Sequence, residues 1–304
     1  MNVLIAGAGG IGGYFGGRLM EKGQDVTFLV REKRKQQLEK TGLVIESPHG
    51  NYKGSPRLMT KEDRDQTYDA IIITTKAYHL EEVIKDIQPF ADESTFILPL
   101  LNGIAHMEPL IAVFGDRVIG GLCFIETTLN EEGHVIQSSP IHDLVYGERD
   151  GSISDRIMKL NSVFEGANAG FTLSEKIMQD MWHKYSFITA MSGITSLMRS
   201  PVGPTVNIPA AKQTLERLLN EISSVMKAID APIADGLPDM QMQKMLEMKE
   251  EMKSSMLRDM EKGLETETTH LQGWLLEKAK DHGVDTPILE AAFAHVLIYE
   301  SLQS

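Results

Sequence analysis

Residues 2–31 restrict this chain more tightly than any other stretch. Asn2–Ala6 is a short apolar run, Gly7-Ala8-Gly9-Gly10-Ile11-Gly12 follows at once, Tyr14–Lys22 has a helical pattern, and Asp25–Val30 is a second apolar run ending at Arg31. Strand, G-x-G-x-x-G turn, helix and strand make the βαβ unit that holds a dinucleotide. Gly7 permits the tight turn, Gly9 lets backbone N–H groups approach a pyrophosphate, and Gly12 lets the helix pack closely on the strand. The helix start adds unpaired N–H donors and a partial positive charge of roughly half a unit. Gly7, Ala8, Gly9, Gly10, Ile11 and Gly12 are therefore the expected phosphate-binding residues.

The end of the second strand decides which dinucleotide is preferred. An acidic residue there holds the ribose 2′-hydroxyl of NAD, whereas a nearby arginine favours the 2′-phosphate of NADP. The chain reads Val30-Arg31-Glu32-Lys33-Arg34 at this point. Arg31 can stack on an adenine and grip a phosphate in a fork. With two more cations after Glu32, NADP(H) is the expected cofactor.

At 304 residues the chain can bury a substantial core and is expected to form two domains. Its net charge of −13 argues against general affinity for nucleic acid or an anionic membrane. The single cysteine, Cys123, excludes an intrachain disulfide and fits a reducing cytoplasm. The first strand begins directly after Met1, which predicts no signal or transit peptide. No apolar run approaches the roughly 20 residues of a membrane span. A cytoplasmic protein is the expectation.

Along the chain, residues 32–41 predict a helix, and Leu43–Ser47 and Tyr52–Leu58 a hairpin about Pro48-His49-Gly50-Asn51. Strands are expected at Tyr68–Thr75, Thr95–Leu101 and Val118–Phe124, with helices at Leu80–Ile87 and Ile104–Phe114. Glu81, Glu82 and Asp86 fall on an outer face of the first of these helices. His134–Ser138 and Asp143–Gly147 look like two antiparallel strands. The pattern is an α/β Rossmann-type domain, an open sheet with an irregular edge, over residues 1–168. From Glu175 long helical patterns take over, at Glu175–Met198, Pro209–Ala228, Asp239–Asp281 and Pro287–Ser301. An all-α C-terminal domain is expected over residues 169–304. In open α/β sheets ligands bind off the carboxyl ends of the strands. Gly7, Lys76 and Asn102 lie at three such ends, so a cleft capped by the helical domain is expected there.

Met245, Met248, Met252, Met256 and Met260 recur at spacings of three and four, one face of a helix. Such a stripe is usually core or a subunit contact, which makes a homodimer plausible. Four polar residues stand out for chemistry. Lys76 and Asn102 follow buried-type strands, Lys184 lies on an apolar helix, and Glu267 precedes His270 by three. Each also has a plain structural role open to it: a solvated strand end, an Asn-Gly turn, a snorkelling lysine or a local cap. Glu267-x-x-His270 resembles half a metal site, but the further ligands a metal needs are missing, so no metal is expected.

The chain resembles the ketopantoate reductase (2-dehydropantoate 2-reductase) family across nearly its full length. The matching runs are GAGGIGGYFGGRL at 7–19, TTKAYH at 74–79, LNGIAHME at 101–108, WHKYSFITAMSGITSL at 182–197, SSMLRDMEKGLETE at 254–267 and LQGWLLEKAKDHGVDTP at 271–287. The resemblance implies NADPH bound by the N-terminal domain and reduction of a branched 2-oxo acid to a 2-hydroxy acid. It makes Lys184 the general acid, Asn102 and Lys76 the residues at the nicotinamide, and Glu267 the carboxylate that holds the substrate hydroxyl and positions the lysine. Ser255 would contact the substrate carboxylate. Four positions depart from the family's asparagines: Ile188, Ser192, Val202 and Met252. Ser192 keeps a hydroxyl and remains a candidate substrate contact.

Hydride reduction needs no protein nucleophile, only orientation and polarisation of the carbonyl. A lysine ammonium can stabilise the oxygen as it gains charge and then protonate it. Ketopantoate is the leading substrate by resemblance, and a more apolar 2-oxo acid is the alternative that the lost asparagines suggest. Two other readings are a non-catalytic NADP(H) sensor and a dehydrogenase acting on an imine. The sensor would need only the N-terminal half, so the joint presence of Lys184, Asn102 and Glu267 argues for the enzyme.

Overall fold

A computed structural model describes residues 1–63 and 66–303. The chain divides into two compact units, one of residues 1–101 and 106–177, the other of residues 102–105 and 178–304. In chain order the first unit contains β1 (Asn2–Ala6), α1 (Gly10–Glu21), β2 (Asp25–Leu29), α2 (Glu32–Thr41), β3 (Leu43–Glu46), β4 (Tyr52–Gly54), β5 (Arg57–Met59) and β6 (Ala70–Ile73). It continues with α3 (Leu80–Ile87), β7 (Phe96–Pro99), α4 (Met107–Phe114), β8 (Gly120–Leu129), β9 (Val135–Gly147), α5 (Asp155–Phe164) and β10 (Gly170–Leu173).

A wholly parallel sheet in the order β5-β2-β1-β6-β7 carries the expected βαβ unit. Its central strands are apolar on both faces, with Val3, Leu4, Ile5, Ile71, Ile72 and Ile73 all buried, as a parallel sheet covered by helices requires. Helix α1 starts at Gly10, ahead of the predicted Tyr14, because its glycines let it lie against the sheet. A Cβ at Gly12 would collide with the Gly7 carbonyl and the Thr74 hydroxyl. Gly7 itself turns with φ +104°, a conformation that side-chain-bearing residues avoid.

Four expectations need correction here. Tyr52–Leu58 is not one hairpin arm. It breaks at Ser55-Pro56, so β4 pairs with β3 while β5 joins the parallel sheet beside β2. The segments His134–Ser138 and Asp143–Gly147 belong to a single strand, β9, which passes through Pro140 and pairs antiparallel with β8, with an irregularity between Ile125 and Thr127. A proline has no N–H for a ladder and is tolerated at such irregular or edge positions. Together these strands form a second sheet, β10-β9-β3-β4 with β8 also on β9, in place of an irregular edge. The boundary moves too: Gly170–Leu173 pairs parallel with Asp143–Tyr146, so the first unit runs to Ile177 and not to residue 168.

The second unit is helical: α6 (Ile177–Met198, whose first residue groups with the first unit), α7 (Val202–Asn207), α8 (Pro209–Ala228), α9 (Leu237–Leu246), α10 (Ser255–Glu261), α11 (Trp274–Asp281) and α12 (Pro287–Ser301). Buried Leu215, Leu218, Leu219, Ile222, Val225 and Met226 recur at helical spacing along α8. The Glu221 carboxylate of α8 accepts the backbone N–H groups of Ile288 and Leu289, satisfying the first turn of α12. The long helix expected over Asp239–Asp281 is instead α9, α10, a π-helical turn at Thr269–Gly273, and α11. Ser254 caps α10, accepting the Leu257 N–H, and Gly263 ends it at φ +69°. The methionine stripe is thereby divided: Met245 is buried in α9, Met256 and Met260 in α10, and Met248 and Met252 lie between helices. It forms no continuous helix face for a subunit contact. Among the described residues no helix is long and apolar enough to cross a membrane.

The packing of Gly12 leads to a measurable contrast with Gly9, where a Cβ would meet nothing within 4 Å. Gly12→Ala should cost about 1–3 kcal/mol through overpacking and lower the thermal midpoint by several degrees. Gly9→Ala should leave the midpoint unchanged; equal midpoints for the two variants would contradict this packing.

Candidate active site

In the first unit the glycine-rich loop is held from three sides. The Gly7 N–H donates to the Leu29 carbonyl at 3.0 Å. The Thr74 hydroxyl lies 3.1 Å from the carbonyls of both Ala6 and Gly7. Arg34 Nε donates to the Ala8 carbonyl at 3.0 Å, while its Nη1 donates to the Gly133 carbonyl at 2.9 Å and to Gln37 Oε1 at 2.6 Å. Arg34 thus ties the glycine loop to the β8–β9 turn, and burial pulls its pKa below the ordinary arginine value. Its only mark in the sequence was membership of a basic cluster. The structure makes it a brace for the loop.

These residues fit a dinucleotide. Gly9 is the N-cap of α1, so no side chain covers the helix start, and the first turn carries no acidic residue among those described. Space above Gly9 is open, which is what close approach of a pyrophosphate requires. Ile11 is half-buried in the first turn of the helix. Arg31 stands at the N-cap of α2, just past β2, with its guanidinium exposed. Lys76 is exposed at the start of the short turn that follows β6.

In the second unit the chemistry gathers around Asn102. Lys184 projects from α6, and its ammonium donates to Asn102 Oδ1 at 3.2 Å. The main-chain carbonyl of the same residue lies 3.0 Å from His270 Nε2. A carbonyl only accepts, so Nε2 carries the proton in this bond. Burial lowers the His270 pKa, against the opposing influence of Glu267 and of the Asn102 carbonyl. Neutral imidazole with the proton on Nε2 is the form that suits this bond at neutral pH. Glu267 is only 9% exposed, one turn from His270.

A π-helical turn at Thr269–Gly273 lies at this convergence. A π turn widens the helix by one residue and is frequent at functional sites. Here three successive residues all reach across: His270 to Asn102, the Leu271 carbonyl to the Tyr185 hydroxyl at 2.6 Å, and Gln272 Nε2 to Ser192 Oγ at 2.7 Å. Lys184, Ile188, Ser192 and Thr195 share one face of α6 by their spacing. Ser192 is buried, its hydroxyl bonded to Gln272 and to the Thr189 carbonyl. Thr195 Oγ1 lies 2.7 Å from Ser254 Oγ. Ser255 is exposed as the first residue of α10, whereas its neighbour Ser254 is buried as the cap. Val202 donates its N–H to the Met252 carbonyl at 2.9 Å, setting two of the substituted positions side by side.

The second unit therefore brings together Lys184, Asn102 and His270, with Glu267 near enough to influence the His270 ring; sequence reasoning had weighed His270 only as half a metal site. Among the described residues no cluster of three or more His, Cys, Asp or Glu could hold a metal. His270→Phe removes the donor and keeps the ring, whereas His270→Gln can still donate. Loss of the bond should move Asn102 and lower kcat by about 10- to 100-fold, the scale of a small misplacement, with His270→Gln recovering most of it. Equal kcat for the wild type and His270→Phe would remove His270 from the site.

Known protein families match both parts of the chain. The family described as Ketopantoate reductase PanE/ApbA matches residues 3–151, and Ketopantoate reductase PanE/ApbA C terminal matches residues 176–300. The uncharacterized oxidoreductase YkpB of Bacillus subtilis (strain 168) is 45% identical over 302 residues, 99% of each chain. The 2-dehydropantoate 2-reductase of Aquifex aeolicus (strain VF5) is 26% identical over 297 residues, covering 95% of this chain and 94% of that relative. The crystal structure of 2-dehydropantoate 2-reductase from Methylococcus capsulatus is similar in fold, with a TM-score of 0.89, 24% identity, and coverage of 100% of this chain and 98% of that one.

Proposed function

The chain belongs to the ketopantoate reductase family, and on that premise we propose that it reduces a branched 2-oxo acid to the 2-hydroxy acid, with Lys184 as the proton donor. The family's enzymes are NADP-dependent oxidoreductases acting on a CH–OH group, and the open glycine loop fits that cofactor. The observation that carries the reading is the Lys184 ammonium held on Asn102 Oδ1, with Asn102 itself anchored by His270.

The reaction consumes one 2-oxo acid, one NADPH and one proton, and yields the 2-hydroxy acid and NADP⁺. The bound cofactor supplies the hydride to C2. Lys184 faces the developing charge on the carbonyl oxygen, stabilises it and passes it a proton, becoming a neutral amine that solvent reprotonates. Asn102 Oδ1 can only accept, so it takes a hydrogen bond from the ammonium and helps to aim it. Glu267 holds the substrate hydroxyl and orients the lysine, and Ser255 and Ser192 are the candidate contacts for the remaining substrate oxygens. Gly7–Gly12, Arg31 and Lys76 hold the cofactor, with Arg31 on the 2′-phosphate.

Ketopantoate is the leading substrate. Apolar Ile188, Val202 and Met252, the last two joined by a backbone bond, favour a second reading in which the side chain of the acid lacks a hydroxyl. NADPH oxidation with ketopantoate beside 2-oxoisovalerate tests both readings. A site that reads the hydroxyl should favour ketopantoate by up to about 10⁴ in kcat/KM, whereas an apolar one cannot. NADPH binding without turnover of any branched 2-oxo acid would refute the proposed reaction.

A further inference from the structure

The outer face of α3 carries acidic residues that the reaction does not use, and one of them lies on the residue that should read the cofactor's 2′-phosphate. Arg31 Nη2 donates to Glu82 Oε2 at 2.6 Å and to His79 Nδ1 at 3.3 Å. Glu82 lies in the first turn of α3, and Asp86 follows one turn later on the same face. The Asp86 carboxyl is raised above the ordinary carboxylate range by burial and by Glu82 and Glu62, with Lys61 and Arg31 opposing, so the group senses Arg31. The Arg31 guanidinium, just past β2, is therefore set against Glu82, with Asp86 within its electrostatic reach.

Resting on the cofactor assignment above, we propose that Glu82 determines cofactor specificity by holding down the preference for NADPH over NADH. A 2′-phosphate carries about −1.5 to −2 charges at neutral pH. A phosphate drawn to the Arg31 guanidinium competes with Glu82 for its donors and lies near a like-charged carboxylate. The ion pair is exposed, 64% on the arginine and 49% on the glutamate, so it yields readily and the penalty is a modest factor. NADH has a 2′-hydroxyl at the same place, and a carboxylate can accept its proton, the role acidic residues play in NAD sites. One residue thus handicaps NADPH and supports NADH.

Equilibrium binding of both dinucleotides to the wild type, Glu82→Gln and Arg31→Ala, followed by quenching of tryptophan fluorescence or by calorimetry, tests this without turnover. Glu82→Gln should tighten NADPH by about 2- to 5-fold, the worth of an exposed pair, and weaken NADH, so that the ratio of the two Kd values rises at least about fivefold. Arg31→Ala should weaken NADPH much more than NADH. A Glu82→Gln protein whose ratio is unchanged, or which binds NADPH less tightly, would overturn the role of Glu82 while leaving the reductase reading intact. Binding of neither dinucleotide to the wild type would overturn the cofactor assignment and this inference with it.

Discussion

Asn102 accepts two bonds, one on its side chain and one on its main chain, and the candidate chemistry depends on both. Its side-chain oxygen takes the Lys184 ammonium, and its main-chain oxygen takes the His270 N–H. Without the second bond the first would rest on a turn residue free to shift. A general acid works only when its proton is aimed at the atom that receives it. The π-helical turn at Thr269–Gly273 carries the His270 that anchors Asn102, and its next two residues bond Tyr185 and Ser192. Glu267 is buried and His270 half-buried, so electrostatic effects between them are strong.

The proposed cofactor site sets the first unit a different requirement, the close approach of backbone to a phosphate. Absence of a side chain does the work at Gly9 and Gly12, open space at one and a tight helix–strand contact at the other. The surroundings then stiffen the loop, through the Thr74 hydroxyl on one side and the Arg34 guanidinium on the other. A loop held in this way loses less freedom when the ligand arrives. Arg31 is the opposite case, exposed and paired with a carboxylate that a phosphate can displace.

Much of this was legible before any coordinates, and the parts that were not share a cause. Local signals placed β1, α1, β2 and α8, because period, glycine spacing and proline position act within a few residues. Lys184, Asn102 and Glu267 could be picked from motif resemblance. The methionine spacing, by contrast, suggested one long helix, since Ser254 as a cap and Gly263 as a stop are weak signals against a persistent apolar period. The second sheet was missed because β9, besides pairing with its neighbour β8, pairs with β3 and β10, contacts far apart in sequence. His270 was passed over as a site residue because its partner is a main-chain carbonyl 168 positions away, and no side-chain pattern marks a carbonyl.

The central claim is that Lys184 delivers the proton, and single-turnover kinetics of Lys184→Ala with NADPH and the best 2-oxo acid test it most directly. Loss of a general acid should slow the chemical step by about 10²–10⁴, while the Kd for NADPH, set by the first unit, stays within a few-fold of the wild type. A chemical step as fast as that of the wild type, with the cofactor bound normally, would contradict the account.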